Sequence, residues 1–129
     1  MKDAADYLAH IKALIVASPY VERWTVVREE IQGDMGLFRY QLTLRNGDLL
    51  EMFELFRVVK GDVQVMKYSF HWQNSDGKLC KRWDNAAHHS KVSTYPHHIH
   101  DGAEANVLPH RPVSAEEVLT IVAKEISSV

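Results

Sequence analysis

Cysteine is nearly missing: Cys80 is the only one in 129 residues. No disulfide can close within the chain, and a reducing cytoplasm is the expected setting. Long apolar runs are missing too. None approaches the ~20 residues that a membrane-spanning helix needs, so no membrane association is expected. The start, Met1-Lys2-Asp3-Ala4-Ala5-Asp6, carries acids where a secretory signal is basic, and His10 and Lys12 interrupt the stretch that follows. Neither charge sign is in excess. Fifteen basic residues face 17 acidic ones, for a formal net charge of -2, which argues against a protein that coats nucleic acid by charge alone. Repeats, low-complexity linkers and composition breaks are also lacking. The length suits one core, so residues 1–129 read as a single domain.

Histidine, by contrast, is concentrated. Seven of the eight lie between His71 and His110, so this region gains positive charge as pH falls.

Hydrophobic periodicity supplies the fold class. In residues 3–17, Tyr7, Leu8, Ile11, Leu14 and Ile15 recur at helical spacing, and Ser18-Pro19 ends the run. From Tyr20 the period becomes two. Phe38, Tyr40, Leu42 and Leu44 alternate with Arg39, Gln41, Thr43 and Arg45, giving a sheet one dry and one wet face. Turn signals at Gly33-Asp34-Met35-Gly36, Asn46-Gly47, Gly61-Asp62 and Ser75-Asp76-Gly77 divide this region into five strands, near 20–32, 37–45, 48–59, 63–73 and 78–83. Turns this short exclude crossovers, so the five form an antiparallel meander. The pattern then dissolves for about thirty residues, a length at which loops are usually functional or disordered. Helical order returns at Ser114, which forms a capping box with Glu117, flanked by a Val113–Val118 staple. The expectation is a two-layer α+β domain: N-terminal helix, five-stranded meander, long histidine-rich loop, C-terminal helix.

The chemistry-bearing residues collect around that loop. On the fourth strand Tyr68, Phe70 and Trp72 share one face, with Ser69, His71 and Gln73 on the other. Arg82 and Asp84 share a face at the end of the fifth, opposite Lys81 and Trp83. Asn85, His88-His89 and His97-His98-Ile99-His100-Asp101 follow. A single loop histidine ordinarily caps a turn or bonds a backbone carbonyl. Five between His88 and His100 favour function over that bland reading, because structural use seldom concentrates one residue type so tightly. Imidazoles exchange protons near neutral pH. Metal-free RNA cleavage needs a base for the 2′-hydroxyl, an acid for the leaving 5′-oxygen and a cation on the phosphate. His97, His98 and His100, with His71 and His88 or His89, are the candidate proton carriers, Arg82 the cation, and Asp84 the group that orients an imidazole. Trp72, Trp83 and Tyr95 are candidate base-stacking residues and Asn85 a polar contact. For the tryptophans, Trp24 included, core or lid packing is the favoured reading over stacking. Glu54, among Met52, Phe56 and Val58, is either buried with a partner or aimed into the site. A metal is the direct competitor. An extended segment places His98 and His100 on one side, where Asp101, Asp84 or His88-His89 could complete a ligand set. The spacing matches no zinc motif, however, so no metal or other cofactor is expected.

The run Tyr68-Ser69-Phe70-His71-Trp72-Gln73, with Asp76-Gly77, Arg82-Trp83-Asp84-Asn85, His88-His89 and Pro96-His97-His98-Ile99-His100, resembles the TumE family. These are small toxins of bacterial and archaeal toxin–antitoxin pairs. The similarity extends to Gly47-Asp48-Leu49-Leu50-Glu51 and to Glu104-Ala105-Asn106-Val107. Members usually carry a proline before the first His-His pair and a phenylalanine before the later Pro-His-His; Ala87 and Tyr95 stand there in this chain. The resemblance implies a growth-inhibiting protein neutralised by an antitoxin, typically a small helix-turn-helix protein. The resemblance leaves the reaction open; a ribonuclease acting on RNA is the expectation by analogy with other toxins of this size, and the histidines permit it. A homodimer is compatible with the sequence. The rival readings are a non-enzymatic module that occupies a target protein and a metal-dependent hydrolase using the same histidines.

Overall fold

Helix α1 (Ala4–Ala17) begins where the Asp3 carboxylate accepts a hydrogen bond from the Asp6 N–H at 2.9 Å, satisfying one of the free donors of the first turn. The computed structural model describes residues 1–127. Its strands are β1 (Val21–Gln32), β2 (Met35–Leu44), β3 (Leu49–Val59), β4 (Asp62–Gln73), β5 (Leu79–Asp84), β6 (His98–Asp101) and β7 (Val107–Pro109), and helix α2 (Ala115–Ser127) follows. At the start of α2 the Ser114 hydroxyl accepts from the Glu117 N–H at 3.1 Å, while Val113 and Val118 are buried beside it. Among the described residues no helix is long and apolar enough to cross a membrane.

The strands form one antiparallel sheet in sequence order, β1 through β7. The α+β class and both terminal helices agree with the sequence, but the sheet has seven strands where alternation and turns predict five. Two come from the stretch expected to be loop. β6 pairs with β5 through Trp83↔Ile99, and β7 pairs with β6 through Ile99↔Leu108. The reason is in the register. Ile99 extends the buried row Phe70–Trp83 by one strand, so a single apolar residue is enough to hold a four-residue strand against an existing edge.

Side-chain alternation gives the sheet two unlike faces. One carries Phe38, Tyr40, Leu50, Met52, Phe56, Phe70 and Trp83 and is covered by the helices. Tyr7 of α1 packs edge-on against Phe56 with ring centroids 4.6 Å apart. Each large apolar side chain buried there stabilises the fold by about 1.5–3 kcal/mol. At the Asn46-Gly47 turn, Gly47 takes φ +90°, a conformation that side chains resist. The turn delivers Asp48 to the Trp72 indole N–H at 2.9 Å. The other face carries polar residues in cross-strand rows, of which two matter: Arg39–Phe53–Ser69–Asp84–His98 and Gln41–Glu51–His71–Arg82–His100. Segment 85–97 folds over the β5–β6 end of this face.

Candidate functional site

The two rows meet at β5 and β6, where Arg82 lies opposite His100 and Asp84 opposite His98. Asp84 is the hub. One carboxylate oxygen lies 2.9 Å from His98 Nε2; the other is 3.2 Å from Arg82 Nε and 3.7 Å from His100 Nε2. Arg82 also reaches His100 Nε2 at 3.2 Å and Glu104 at 2.8 Å. The cluster is dry at its base: Asp84, His98 and His100 are 7 %, 2 % and 3 % exposed. Buried polar groups persist only when bonded, and here each one is.

The bonding distributes the protons. His98 Nδ1 lies 2.9 Å from the Pro96 carbonyl and His100 Nδ1 lies 2.8 Å from the Glu104 carbonyl. A carbonyl only accepts, so both Nδ1 atoms carry hydrogen. Nε2 of His98 lies 2.9 Å from a carboxylate oxygen of Asp84. Nε2 of His100 instead faces the Arg82 guanidinium, which only donates, so that nitrogen accepts. The two imidazoles, with ring centroids 4.9 Å apart, thus face unlike partners: His98 a carboxylate, His100 a guanidinium.

His89, from segment 85–97, overlies both, with centroids 4.8 Å from His98 and 5.5 Å from His100. Partial desolvation pushes its pKa below the usual imidazole range. His98 and His100 push the same way, and Asp84 opposes them. Its ring makes no hydrogen bond among the described residues. One ligand atom from each of His89, His98 and His100 lies within 4.8 Å of the others, a grouping that could hold a metal ion.

Other predicted residues are placed elsewhere. His97 falls on the opposite side of the pleat, stacked on Tyr68 and bonded to its hydroxyl at 2.8 Å. Burial, then the Asp84 charge, pushes that phenol up to about 12, against a backbone hydrogen bond that lowers it. His71 neighbours Arg82 across the strands and bonds Gln73 at 3.1 Å. Trp72 and Trp83 lie in the core beneath the helices, 6 % and 1 % exposed, turned away from the polar face. His88 and Tyr95 are exposed and line an open cleft of about 750 Å³ beside the cluster. Asn85 is a fastener. Its Oδ1 accepts from the Tyr68 N–H and its Nδ2 donates to the Met66 carbonyl, both at 3.0 Å, tying the start of segment 85–97 to β4. Asn85→Ala is expected to lower stability by about 1–2 kcal/mol, the net value of two hydrogen bonds. Urea unfolding measures this, and an unchanged midpoint would deny the fastening role.

Sequence reasoning missed Arg39, Phe53, Lys67 and Ser69, which also line the cleft. Their only sequence signal is a place on the wet face of their strands. What brings them to the cluster is register, which the strand pattern alone does not contain.

The sequence matches the family described as Toxin TumE over residues 11–129. No curated protein and no solved structure matches it. With nearly its whole length matched, the chain belongs to the TumE family of toxins, which act in toxin–antitoxin pairs.

Proposed function

We propose that this toxin is an endoribonuclease that uses histidine acid–base chemistry without a metal. The observation that carries the reading is the gathering of His98 against Asp84 and of His100 against Arg82, with His89 over both, beside a cleft lined by Arg39, Lys67 and Arg82. Proton donor, proton acceptor and cations for a phosphodiester are thereby collected in one place.

His98, set against the Asp84 carboxylate, gives a proton to the leaving 5′-oxygen. His89, unbonded and held neutral, accepts the proton of the 2′-hydroxyl. Because His89 lies over His98, productive binding lifts it away and places the phosphodiester between the two rings. The 2′-oxygen then attacks phosphorus, the bond to the 5′-oxygen breaks, and the products end in a 2′,3′-cyclic phosphate and a 5′-hydroxyl. Arg82 neutralises the crowded phosphate, and His100 holds Arg82 in place. His88 and Tyr95, exposed on the cleft wall, contact the strand on either side. The antitoxin, of helix-turn-helix type, silences the toxin in the cytoplasm.

The three-histidine grouping favours a second reading. Nδ1–H bonds to backbone carbonyls, as His98 and His100 make, are also what metal-bound histidines use to fix their ring orientation. Against it, the Arg82 guanidinium occupies the lone pair of His100 Nε2, and a fixed cation repels another.

Purified protein incubated with a defined RNA, with and without EDTA, separates the readings. Cleavage that survives EDTA, leaves cyclic-phosphate ends and stops at a 2′-deoxy substitution is expected. Loss of cleavage in EDTA, restored by zinc, would replace the metal-free mechanism. Intact RNA under conditions that arrest growth would favour a binding toxin acting stoichiometrically.

A further inference from the structure

The proton-carrying cluster occupies only one end of the polar sheet face. The row that contains Asp84 and His98 runs on through Ser69 to Phe53 and Arg39. Phe53 is half-buried on the open face, where its strand also presents Leu49, Glu51, Leu55, Arg57 and Val59. Its partner across the strands, Arg39, places its guanidinium over the ring, 4.7 Å from the centroid. Glu51 anchors Arg39 from the side. An aromatic ring and a guanidinium plane are therefore pre-stacked on the open face, away from the core. Core packing does not account for this ring, because the apolar cluster lies on the other face.

Spacing gives the pair its meaning. Phe53 stands two strands from Asp84, about 10 Å at ordinary strand separation. Between them lies only Ser69, whose short side chain leaves the floor of the cleft low. One nucleotide spans such a gap, with its base at one end and its phosphodiester at the other. Three cations, Arg39, Lys67 and Arg82, line the same cleft against one acid, Asp84; Arg39 pairs with Glu51, and Arg82 with Asp84 and Glu104. The lining itself carries more positive than negative charge, which suits a phosphate chain.

We infer that Phe53 and Arg39 form a base-stacking subsite for single-stranded RNA, holding the nucleobase next to the phosphodiester that the histidine cluster cuts. The inference rests on the ribonuclease reading. Bases stack on aromatic rings and on guanidinium planes alike, and such stacking tolerates any base, since every base has a π-face. The toxin therefore requires an unpaired nucleotide at this position and discriminates weakly among the four bases there. Duplex RNA, whose bases stack on each other, is a poor substrate.

The test uses a short 2′-O-methyl RNA, which the proposed mechanism cannot cut, and the same oligonucleotide with one abasic position moved along its length. Fluorescence anisotropy measures affinity for wild type, Phe53→Ala, Phe53→Leu and Phe53→Tyr. Phe53→Ala and Phe53→Leu are expected to weaken binding about tenfold to hundredfold, and Phe53→Tyr to restore it. At one abasic position wild type loses the same factor, and the Phe53→Ala variant loses no more. Phe53→Leu keeps the apolar volume, so a fold defect in the alanine variant does not spoil the comparison. If wild type cuts RNA while the leucine variant binds it unchanged, the subsite is wrong and the ribonuclease reading stands. If wild type neither binds nor cuts RNA, both fall.

Discussion

Replacing His98 and His100 together with glutamine is expected to lower RNA cleavage at least about a thousandfold and to abolish growth arrest. A positioned proton donor or acceptor is typically worth 10²–10⁴-fold. Groups that act as one unit do not add, so the pair is expected to cost little more than its more important member. Glutamine is the informative choice. Its amide can still donate to the Asp84 carboxylate that His98 contacts at 2.9 Å, which spares the fold a buried, half-abandoned charge. Alanine at both positions would leave Asp84 only Arg82 and the Ala86 N–H, and removing one partner of a buried charge pair costs about 3–5 kcal/mol. The glutamine pair loses mainly the bonds to the Pro96 and Glu104 carbonyls, about 1–3 kcal/mol in total. Initial cleavage rates, growth on induction and a thermal melt check the prediction together. A folded variant that cuts and arrests growth like wild type removes the cluster from the chemistry. One that no longer cuts but still arrests growth points to a toxin that acts by binding.

How much of this site was legible in the sequence follows from how it is built. Alternation in His98-Ile99-His100 already places the two histidines on one side of an extended segment, and Arg82 and Asp84 share a face by the same rule. The two-residue period also separates His97 from its neighbours, because an odd step crosses the pleat. Grouping all three histidines by sequence proximity overlooks that, and Tyr68 holds His97 on the far side. What alternation cannot supply is pairing. Arg82 meets His100, and Asp84 meets His98, only because β6 adds to the edge of β5 in one register. The signal for β6 is a single isoleucine among polar residues, too little to outweigh the thirty-residue stretch without pattern. The five longer strands and both helices carry enough apolar repeats to be read directly, and the strands bring Arg82, Asp84 and the cleft wall to the site. Phe53 shows the same limit from the other side: its strand is plain in the sequence, its partner row is not.

Glu54, the one acid on the dry face of β3, carries the second large effect. Its side chain is fully buried, with the Tyr7 hydroxyl donating to one oxygen at 2.6 Å and the Ala115 N–H to the other at 3.1 Å. It joins α1, the sheet and the start of α2, so the buried-with-a-partner alternative holds and the acid is not part of the cleft. Desolvation pushes its pKa from an ordinary 4.5 up to about 7, against the two hydrogen bonds that lower it. Burial and the same carboxylate push the Tyr7 hydroxyl upward, so Tyr7 stays neutral over any working pH. The sign of the linkage follows. Between the unfolded and folded values the native state holds a proton that the unfolded chain has released, so stability falls as pH rises. The contribution is complete below about pH 4.5 and is lost as pH climbs through about 7, in total about 3 kcal/mol. Glu54→Gln mimics the protonated acid and removes this slope. Urea unfolding from pH 5 to pH 8 is expected to show wild type losing most of that amount relative to the variant, with the two nearest in stability at pH 5. Histidines and surface carboxylates titrate alike in both proteins, so the difference isolates Glu54. Parallel profiles across the range would mean that Glu54 is ionised in its buried place throughout, held by Tyr7 and the α2 N-terminus strongly enough to offset its desolvation.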